Sequence, residues 1–286
     1  MSNRGITDAE GKRIPATQLV LRYLLLLAVL ALTVGPFLWQ LSTSLKGPHE
    51  DIFSSPPRFL PSDPTFGNYT RVAETIPVWD YAFNSLKVAV ANVVTNCVGA
   101  ALAGYALARL SYRGRRAATL AFILAMLVPV EGIIIAQFTT MRDLGLNNTL
   151  LGVLLPGSVA ALNVLLMRNA FLNLPQEVED AAFVDGANVW QRFARIALPS
   201  VRGTLAVVAI FAFMGAWDDF LWPLIVLSDP ENFTLTIGLN YLHGTFANDE
   251  RLVAAGTIIA VLPLIVLFAC LQRFFFRGVG EGAVKG

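Results

Sequence analysis

Six long apolar runs divide this chain of 286 residues, and they limit the folds that it can adopt. A segment that crosses a bilayer needs about 20 mostly apolar residues, and the runs cover residues 20–41, 84–107, 117–139, 149–171, 204–227 and 252–274. Backbone N–H and C=O groups in lipid must pair within the chain, so each run is predicted to be a helix. Only 14% of the residues are charged, against about 25% in soluble domains. The sequence therefore predicts an all-α membrane protein with six transmembrane helices.

The distribution of Lys and Arg predicts the side of the membrane on which each loop lies. Fifteen of the 21 basic residues fall in the two termini, in the loops after the second and fourth runs, or at the adjoining ends of the runs, and six fall elsewhere. Basic loops face the cytoplasm, so both termini are predicted to be cytoplasmic. Residues 1–19 would form an N-terminal cytoplasmic segment, residues 20–274 the transmembrane domain, and residues 275–286 a cytoplasmic tail.

A polar stretch at about residues 172–201 lies on the predicted cytoplasmic side and has the pattern of a hook. Pro175 suits the first turn of a helix because its missing N–H would be unpaired there, and Glu179 and Asp180 follow as acids near the positive helix end. Gly186 tolerates the positive φ of a sharp turn. A second helix is predicted to follow and to end at Pro199, with three large apolar residues on one face: Trp190, Phe193 and Ile196. We therefore predict a helix–turn–helix hook. The alternative, an amphipathic segment on the lipid surface, is disfavoured because anionic lipid repels an acidic limb.

This hook resembles the signature loop of the membrane subunits of bacterial ABC importers. That loop reads Glu-Ala-Ala, three residues, Gly, nine residues, Ile, one residue, Leu-Pro, and here the matching residues are Asp180-Ala181-Ala182, Gly186, Ile196 and Leu198-Pro199. Asp replaces the usual Glu at position 180, so a salt bridge made by the family's Glu is expected to be weaker here or to be carried by Glu179. Further similarities, at residues 104–110, 144–149, 217–223 and 282–286, narrow the resemblance to the carbohydrate-importer group, close to the smaller permease of the maltose system.

The resemblance implies a set of partners in the bacterial plasma (inner) membrane. In that family two homologous permease subunits pair, two copies of an ATP-binding subunit dock below, and an extracytoplasmic solute-binding protein delivers the sugar. ATP and Mg would bind to the partner subunits, and this chain would carry no cofactor, metal or catalytic residue and would bind no nucleic acid. The chain has no Gly-rich phosphate loop of its own. Coupling to the ATPase is expected at Glu179, Asp180, Ala181, Ala182, Gly186, Trp190, Phe193, Ile196, Leu198 and Pro199.

Five polar or aromatic residues inside the apolar runs are candidates for a sugar path: Glu131, Asn163, Trp217, Asp218 and Asp219. Charged groups within a span usually face protein or water, and sugars bind to carboxylates and amides beside aromatic rings. A straight helix from Arg116 would place Glu131 about 22 Å into the membrane. The resemblance favours Asp218 at the cavity, with Asp219 paired to a neighbouring helix. Interhelical hydrogen bonding or an outer-surface contact is the alternative role for these residues.

Two other classes of protein remain open from the residues alone. An ion-coupled secondary transporter would need paired ionisable groups at the midplane and inverted repeats, and neither is evident. A membrane enzyme of lipid or glycan metabolism would need a catalytic constellation. The sequence leaves the transported solute open among disaccharides, amino sugars and glycerol phosphates.

Overall fold

The computed structural model describes residues 15–52, 54–56, 58–244 and 249–283, and across these residues every regular element is helical. Most of the predicted cytoplasmic N-terminal segment lies outside this part of the chain, and residues 275–283 of the predicted C-terminal tail continue the last helix. The α-helices, in chain order, are α1 Ala16–Ser44, α2 Gly67–Thr75, α3 Val78–Arg109, α4 Arg115–Leu127, α5 Val130–Asp143, α6 Leu150–Leu154, α7 Ala161–Leu172, α8 Gln176–Val184, α9 Val189–Arg192, α10 Leu198–Ser200, α11 Arg202–Trp217, α12 Leu221–Val226, α13 Leu235–Gly244 and α14 Glu250–Ala283.

Three described helical stretches are long and apolar enough to cross a membrane alone, and they lie at Thr17–Ser44, Val78–Arg109 and Glu250–Cys270. Three bent helix pairs raise the number to six if each pair is one span. By length and composition, the structure therefore supports three to six spans.

The predicted straight helix over residues 117–139 is wrong. Helix α4 ends at Leu127, α5 begins at Val130, and the two axes differ by 104°. Pro129 has no N–H to continue the helical ladder and forces the residue before it out of the helical region, and Val128 accordingly has an extended ψ of 116°. The predicted run at 204–227 is likewise divided, into α11 and α12.

The larger of two compact units covers the described parts of residues 73–246 and 259–286 and is built around α3. Helices α7 and α11 pack along α3. A Cβ at Gly104 would lie 2.7 Å from Met167 Cβ and 2.8 Å from the Arg168 backbone N, so α7 can approach this closely only because position 104 is glycine. The buried core of this region continues along α3 and α7 into the polar stretch that follows α7.

The smaller unit covers the described parts of residues 1–72 and 247–258. Its α1 is largely exposed along its apolar length. The segment after α1 is held by buried polar contacts: Asn68 Nδ2 donates to the carbonyls of Ser44 and Lys46, each at 2.9 Å. Lys46 is fully buried, and its Nζ donates to Arg58 O at 2.8 Å.

Candidate functional site: a hook beside α3 and a polar cavity

The stretch from α8 to α10 reverses direction at a glycine. Pro175 precedes α8, and Gly186 follows it with φ +82°. A Cβ at Gly186 would meet nothing within 4 Å, so the backbone conformation alone selects glycine. Asn188 then caps α9 in a capping box with Gln191. We call residues 175–200 the hook.

The two limbs of the hook also touch each other. The Arg192 guanidinium of α9 lies 5.4 Å from the centre of the Phe183 ring of α8, within the range of a cation–π interaction. After α9 the chain makes a π-helical turn over Phe193–Ala197 before the short α10. The turn geometry and this contact together fix the shape of the hook.

Glu179 points into the protein and not outward. Its side chain is buried, Oε2 accepts a 3.0 Å hydrogen bond from Tyr105 OH, and Oε1 lies 3.2 Å from Arg109 Nε, close enough for an ion pair. The Arg109 Nη2 also donates to the backbone carbonyls of Phe171 (2.6 Å) and Leu174 (2.5 Å) at the end of α7. Arg109 therefore ties the end of α3 to the start of the hook. We call Tyr105, Arg109 and Glu179 the latch.

Aromatic packing surrounds the latch. The Tyr105 ring lies 5.4 Å from Phe171 in an edge-on arrangement and 5.1 Å from Phe193. Phe193 is only 5% exposed, whereas Trp190, three residues earlier, is 64% exposed. The two rings lie on the same face of the limb, with their centroids 5.3 Å apart. Phe193, at the start of the π-helical turn, packs into the core, whereas Trp190 stays at the surface.

The exposed surface of the hook combines apolar and polar residues. Its exposed apolar residues in α8 and α9 include Ala181, Phe183, Val184 and Trp190, and Asp180 is exposed beside them. Ala182, Ile196 and Leu198 are half-buried, and Pro199 is exposed. The two adjacent acids thus have different surroundings: Glu179 is locked inside, and Asp180 is free to meet a partner.

A second site is a cavity of about 530 Å³ within the larger unit. It is lined by residues of α3, α7 and α11, by the junction of α4 with α5, and by Asp219 and Trp222. This volume lies in the range of small-ligand sites. Its polar side chains are Asn92, Asn96, Gln137, Asn163 and Asp219.

Three of those amides form a chain of hydrogen bonds, and the direction from donor to acceptor is fixed at both ends of this chain. Asn92 Nδ2 donates to the carbonyl of Ala212 at 2.8 Å, and Asn96 Nδ2 donates to Asn92 Oδ1 at 3.0 Å. The backbone N–H of Ala160 donates to Asn96 Oδ1, and this oxygen also accepts from Asn163 Nδ2 at 2.9 Å. A backbone N–H can only donate, so the orientation of each amide follows from its neighbour. Asn163 Oδ1 remains as a buried acceptor without a hydrogen-bond partner.

Of the five residues predicted for a sugar path, the structure brings Asn163 and Asp219 together at this cavity. Trp217 is buried, and its Nε1 donates to Ala260 O at 2.9 Å, an interhelical contact of the kind named as the alternative role. Glu131 and Asp218 are exposed and do not line the cavity. Asp219 therefore lines this cavity, whereas the resemblance favoured Asp218 there. Helix α11 ends at Trp217, so both acids lie beyond its last residue.

Several residues of these sites were not assigned a role from the sequence. Tyr105 and Arg109 carried the resemblance but were given no function. Asn92 and Asn96 are one helical turn apart in an apolar run, and this spacing of amides was a usable signal. Trp222 also lines the cavity, and it donates from Nε1 to Gly152 O at 3.2 Å. Among the described residues, no group of three or more His, Cys, Asp or Glu side chains could hold a metal ion.

Comparison with known proteins agrees with the fold. Residues 96–281 match the family described as binding-protein-dependent transport system inner membrane component. The arabinooligosaccharides transport system permease protein AraQ of Halalkalibacterium halodurans is 35% identical over 80% of this chain and 82% of its own length. The diacetylchitobiose uptake system permease protein DasC of Streptomyces coelicolor is 33% identical over 88% and 92%.

A solved structure of a bacterial ABC transporter involved in the import of the acidic polysaccharide alginate has a chain that matches with a TM-score of 0.81. The two chains are 25% identical, and the match covers 90% of this chain and 95% of the other. The chain thus belongs to the family of binding-protein-dependent transport system inner membrane components, as a permease subunit of an ABC transporter for carbohydrate import. The resemblance predicted from the loop is confirmed.

Proposed function

We propose that this permease forms half of the translocation pathway of an ATP-driven sugar importer in the bacterial inner membrane. A second homologous permease would form the other half, two copies of an ATP-binding subunit would supply ATP and Mg, and a solute-binding protein would deliver the sugar from outside. The hook and both termini would be cytoplasmic. This orientation follows from the excess of Lys and Arg in the loops on that side.

The observation that carries the proposal is the two-sided character of the hook. Its inner side is bonded to α3 through the latch. Its outer side presents Phe183, Val184 and Trp190 as large exposed apolar residues in a polar segment. Exposed apolar patches with a polar rim are typical of protein–protein contacts. The outer side is therefore the docking surface for the ATP-binding subunit.

The latch gives the docking surface a route to the transmembrane helices. Arg109 is the last residue of α3. It donates hydrogen bonds to two backbone carbonyls at the end of α7, and it is paired with Glu179 of α8. A displacement of the hook therefore moves α3 and α7 with it. The same helices line the cavity. We infer alternating access, in which closure of the ATPase pair moves these helices as bodies and changes the side on which the cavity opens.

A substitution on the outer side tests the docking surface. Val184 is 84% exposed on the hook, and Leu60 is 74% exposed in the smaller unit. We expect Val184→Arg to abolish copurification of the ATP-binding subunit, because a charge would be buried without a partner in the contact. Leu60→Arg, the matched control, should retain it. Equal retention of the ATP-binding subunit by both variants would place the docking surface elsewhere.

An ion-coupled secondary transporter is the alternative, and energy dependence separates the two. Uptake by the reconstituted complex should require hydrolysable ATP on the side of the membrane that bears the hook. It should persist after ionophores dissipate ion gradients. Uptake that is driven by an ion gradient without ATP would overturn the importer.

A further inference from the structure

We propose that the cavity selects an uncharged sugar and rejects an acidic one. The preference applies to the part of the solute that this subunit contacts. The inference rests on the proposed transport function and names the solute class for the same cavity. Among the described residues that line it, Asp219 is the only ionisable side chain. An anion that entered would lose its water without meeting a cation.

Two of the polar side chains at the cavity, Asp219 and Asn163, have unused acceptor capacity. Asp219 accepts a single long hydrogen bond, 3.4 Å from the backbone N of Trp222, which leaves most of the accepting capacity of its carboxyl oxygens unused. Asn163 Oδ1 has no partner at all. Hydroxyl and N-acetyl groups of a neutral sugar bring donors to such acceptors, whereas an ionised carboxylate or sulfonate of an acidic sugar can only accept.

The amide chain holds the cavity wall in the form that favours ligand groups with hydrogen-bond donors. Asn96 uses Oδ1 for two donors and Nδ2 for Asn92 and for the Gly157 carbonyl, 2.9 Å away. Asn163 cannot rotate its amide to offer Nδ2 to a ligand without breaking its bond to Asn96. The amide groups are therefore held in an orientation that keeps the free acceptor.

The indole of Trp222 supplies the apolar component. Its Nε1 is bonded to Gly152 O, which holds the ring beside Asp219 at the cavity wall. A Cβ at Gly152 would lie 2.2 Å from Leu146 O, so only glycine permits this close approach at the start of α6. A ring face beside an acceptor suits the C–H face and hydroxyl edge of a neutral pyranose. The matching alginate importer handles an acidic polysaccharide, so the two proteins are expected to differ at this wall.

Charge-selective labelling tests the cavity without knowledge of the natural solute. In a background with Cys97 and Cys270 replaced by Ala, a cysteine is placed at Ala216, which lines the cavity. Its rates of reaction with a cationic and an anionic methanethiosulfonate reagent are compared with those of a cysteine at the exposed Leu60. We expect the cationic reagent to be favoured at position 216 by roughly ten-fold after correction for position 60.

Substitutions at Asp219 complete the test. Asp219→Asn should remove most of that preference and Asp219→Glu should keep it. Protection should follow the same rule: a neutral disaccharide, N,N′-diacetylchitobiose, should slow labelling at position 216, and digalacturonate should not. An equal or faster reaction of the anionic reagent, or equal protection by digalacturonate, would overturn the inference. ATP-dependent uptake by the same complex is measured separately, so a failure of the proposed transport function is distinguishable from a failure of the charge preference.

Discussion

Two polar clusters lie along α3: charged groups form one of them, and neutral amides form the other. At the end of the helix, the latch pairs a buried acid with a buried base and adds a tyrosine hydroxyl and two carbonyls. In the middle, the amide chain from Asn92 to Asn163 ends in an unpaired acceptor at a cavity. Paired charges hold elements together, and unpaired acceptors at a cavity await a ligand. One helix thus carries the latch at its end and, in its middle, the amide chain beside the cavity.

The comparison explains why this arrangement suits a transporter. The latch joins α3 to the hook, and the amide chain joins α3 to α7 and α11. Because both clusters share one continuous helix, the proposed movement of the hook would change the cavity wall without a separate linkage. The following variants separate the two roles.

Arg109→Met should have the largest effect. It leaves Glu179 buried without its cation, a change that costs roughly 3–5 kcal/mol, and it also frees the carbonyls of Phe171 and Leu174. We expect a large loss of thermal stability in detergent and loss of solute-stimulated ATP hydrolysis. Glu179→Gln, which keeps an acceptor for Tyr105, should lose less stability. A stable, fully coupled Arg109→Met complex would show that the latch does not position the hook.

Asn96→Leu should come next and should be compared with Asn163→Leu. Removal of Asn96 orphans the Ala160 N–H and the Asn163 amide, at roughly 1–3 kcal/mol for each unsatisfied group. Asn163→Leu breaks one hydrogen bond and removes an acceptor that is already unpaired. It should therefore cost less stability but lower sugar uptake. If the two variants lose equal stability, or if Asn163→Leu transports normally, the division between structural and binding amides fails.

Gly186→Val isolates the turn of the hook. A positive φ costs a non-glycine residue about 1–2 kcal/mol, and nothing nearby would clash with the side chain. Gly145, with φ +71° and open space around its Cβ position, offers a matched control outside the hook. Both valine variants should lose similar stability, but only Gly186→Val should reduce ATPase docking and transport. Equal transport by the two variants would show that the turn at Gly186 is not needed for coupling to the ATPase.

We expect the smallest loss of stability from removal of a salt bridge in the smaller unit. The Arg71 side chain of the Arg71–Asp249 pair is 47% exposed, against 10% for Arg109 in the latch. Burial alone raises the pKa of Asp249, but hydrogen bonds from Arg71 and the Arg251 backbone N and the two guanidinium charges together hold that pKa below its usual range. A lowered pKa stabilises the fold above the unfolded value of about 3.9, and that stabilisation is lost as the pH falls toward the folded pKa.

Asp249→Asn should therefore cost less than about 1 kcal/mol at pH 7 and should flatten the acid side of the stability profile. Thermal melts of the wild type and the variant between about pH 6 and pH 3 measure this. A loss as large as that of Arg109→Met would contradict the argument that exposure sets the value of these ion pairs.

The parts of the molecule that could be predicted from the sequence are those that local patterns determine. Apolar runs and the spacing of the hook residues identified the helical class and the family, because lipid imposes a length and the turn at Gly186 imposes a residue type. The bend at Pro129 was not predicted, although a proline inside an apolar run is a signal for one. The apolar pattern continues on both sides of the proline and therefore favoured a single helix. The pairing of Glu179 with Arg109 spans 70 positions of sequence and depends on how α3 and α7 pack, which no local pattern contains.

A double-mutant cycle between Arg109 and Glu179 tests the central claim most directly. Unfolding free energies are measured in detergent for Arg109→Met, Glu179→Leu and the double variant, with Asp180→Leu in place of Glu179→Leu as the control cycle. The latch predicts that the double variant is more stable than the sum of the single effects allows, by on the order of 2 kcal/mol, because no buried charge is left unpaired. The control cycle should be additive within about 0.5 kcal/mol. Additivity in the Arg109–Glu179 cycle as well would contradict the claim that this pair anchors the hook to α3.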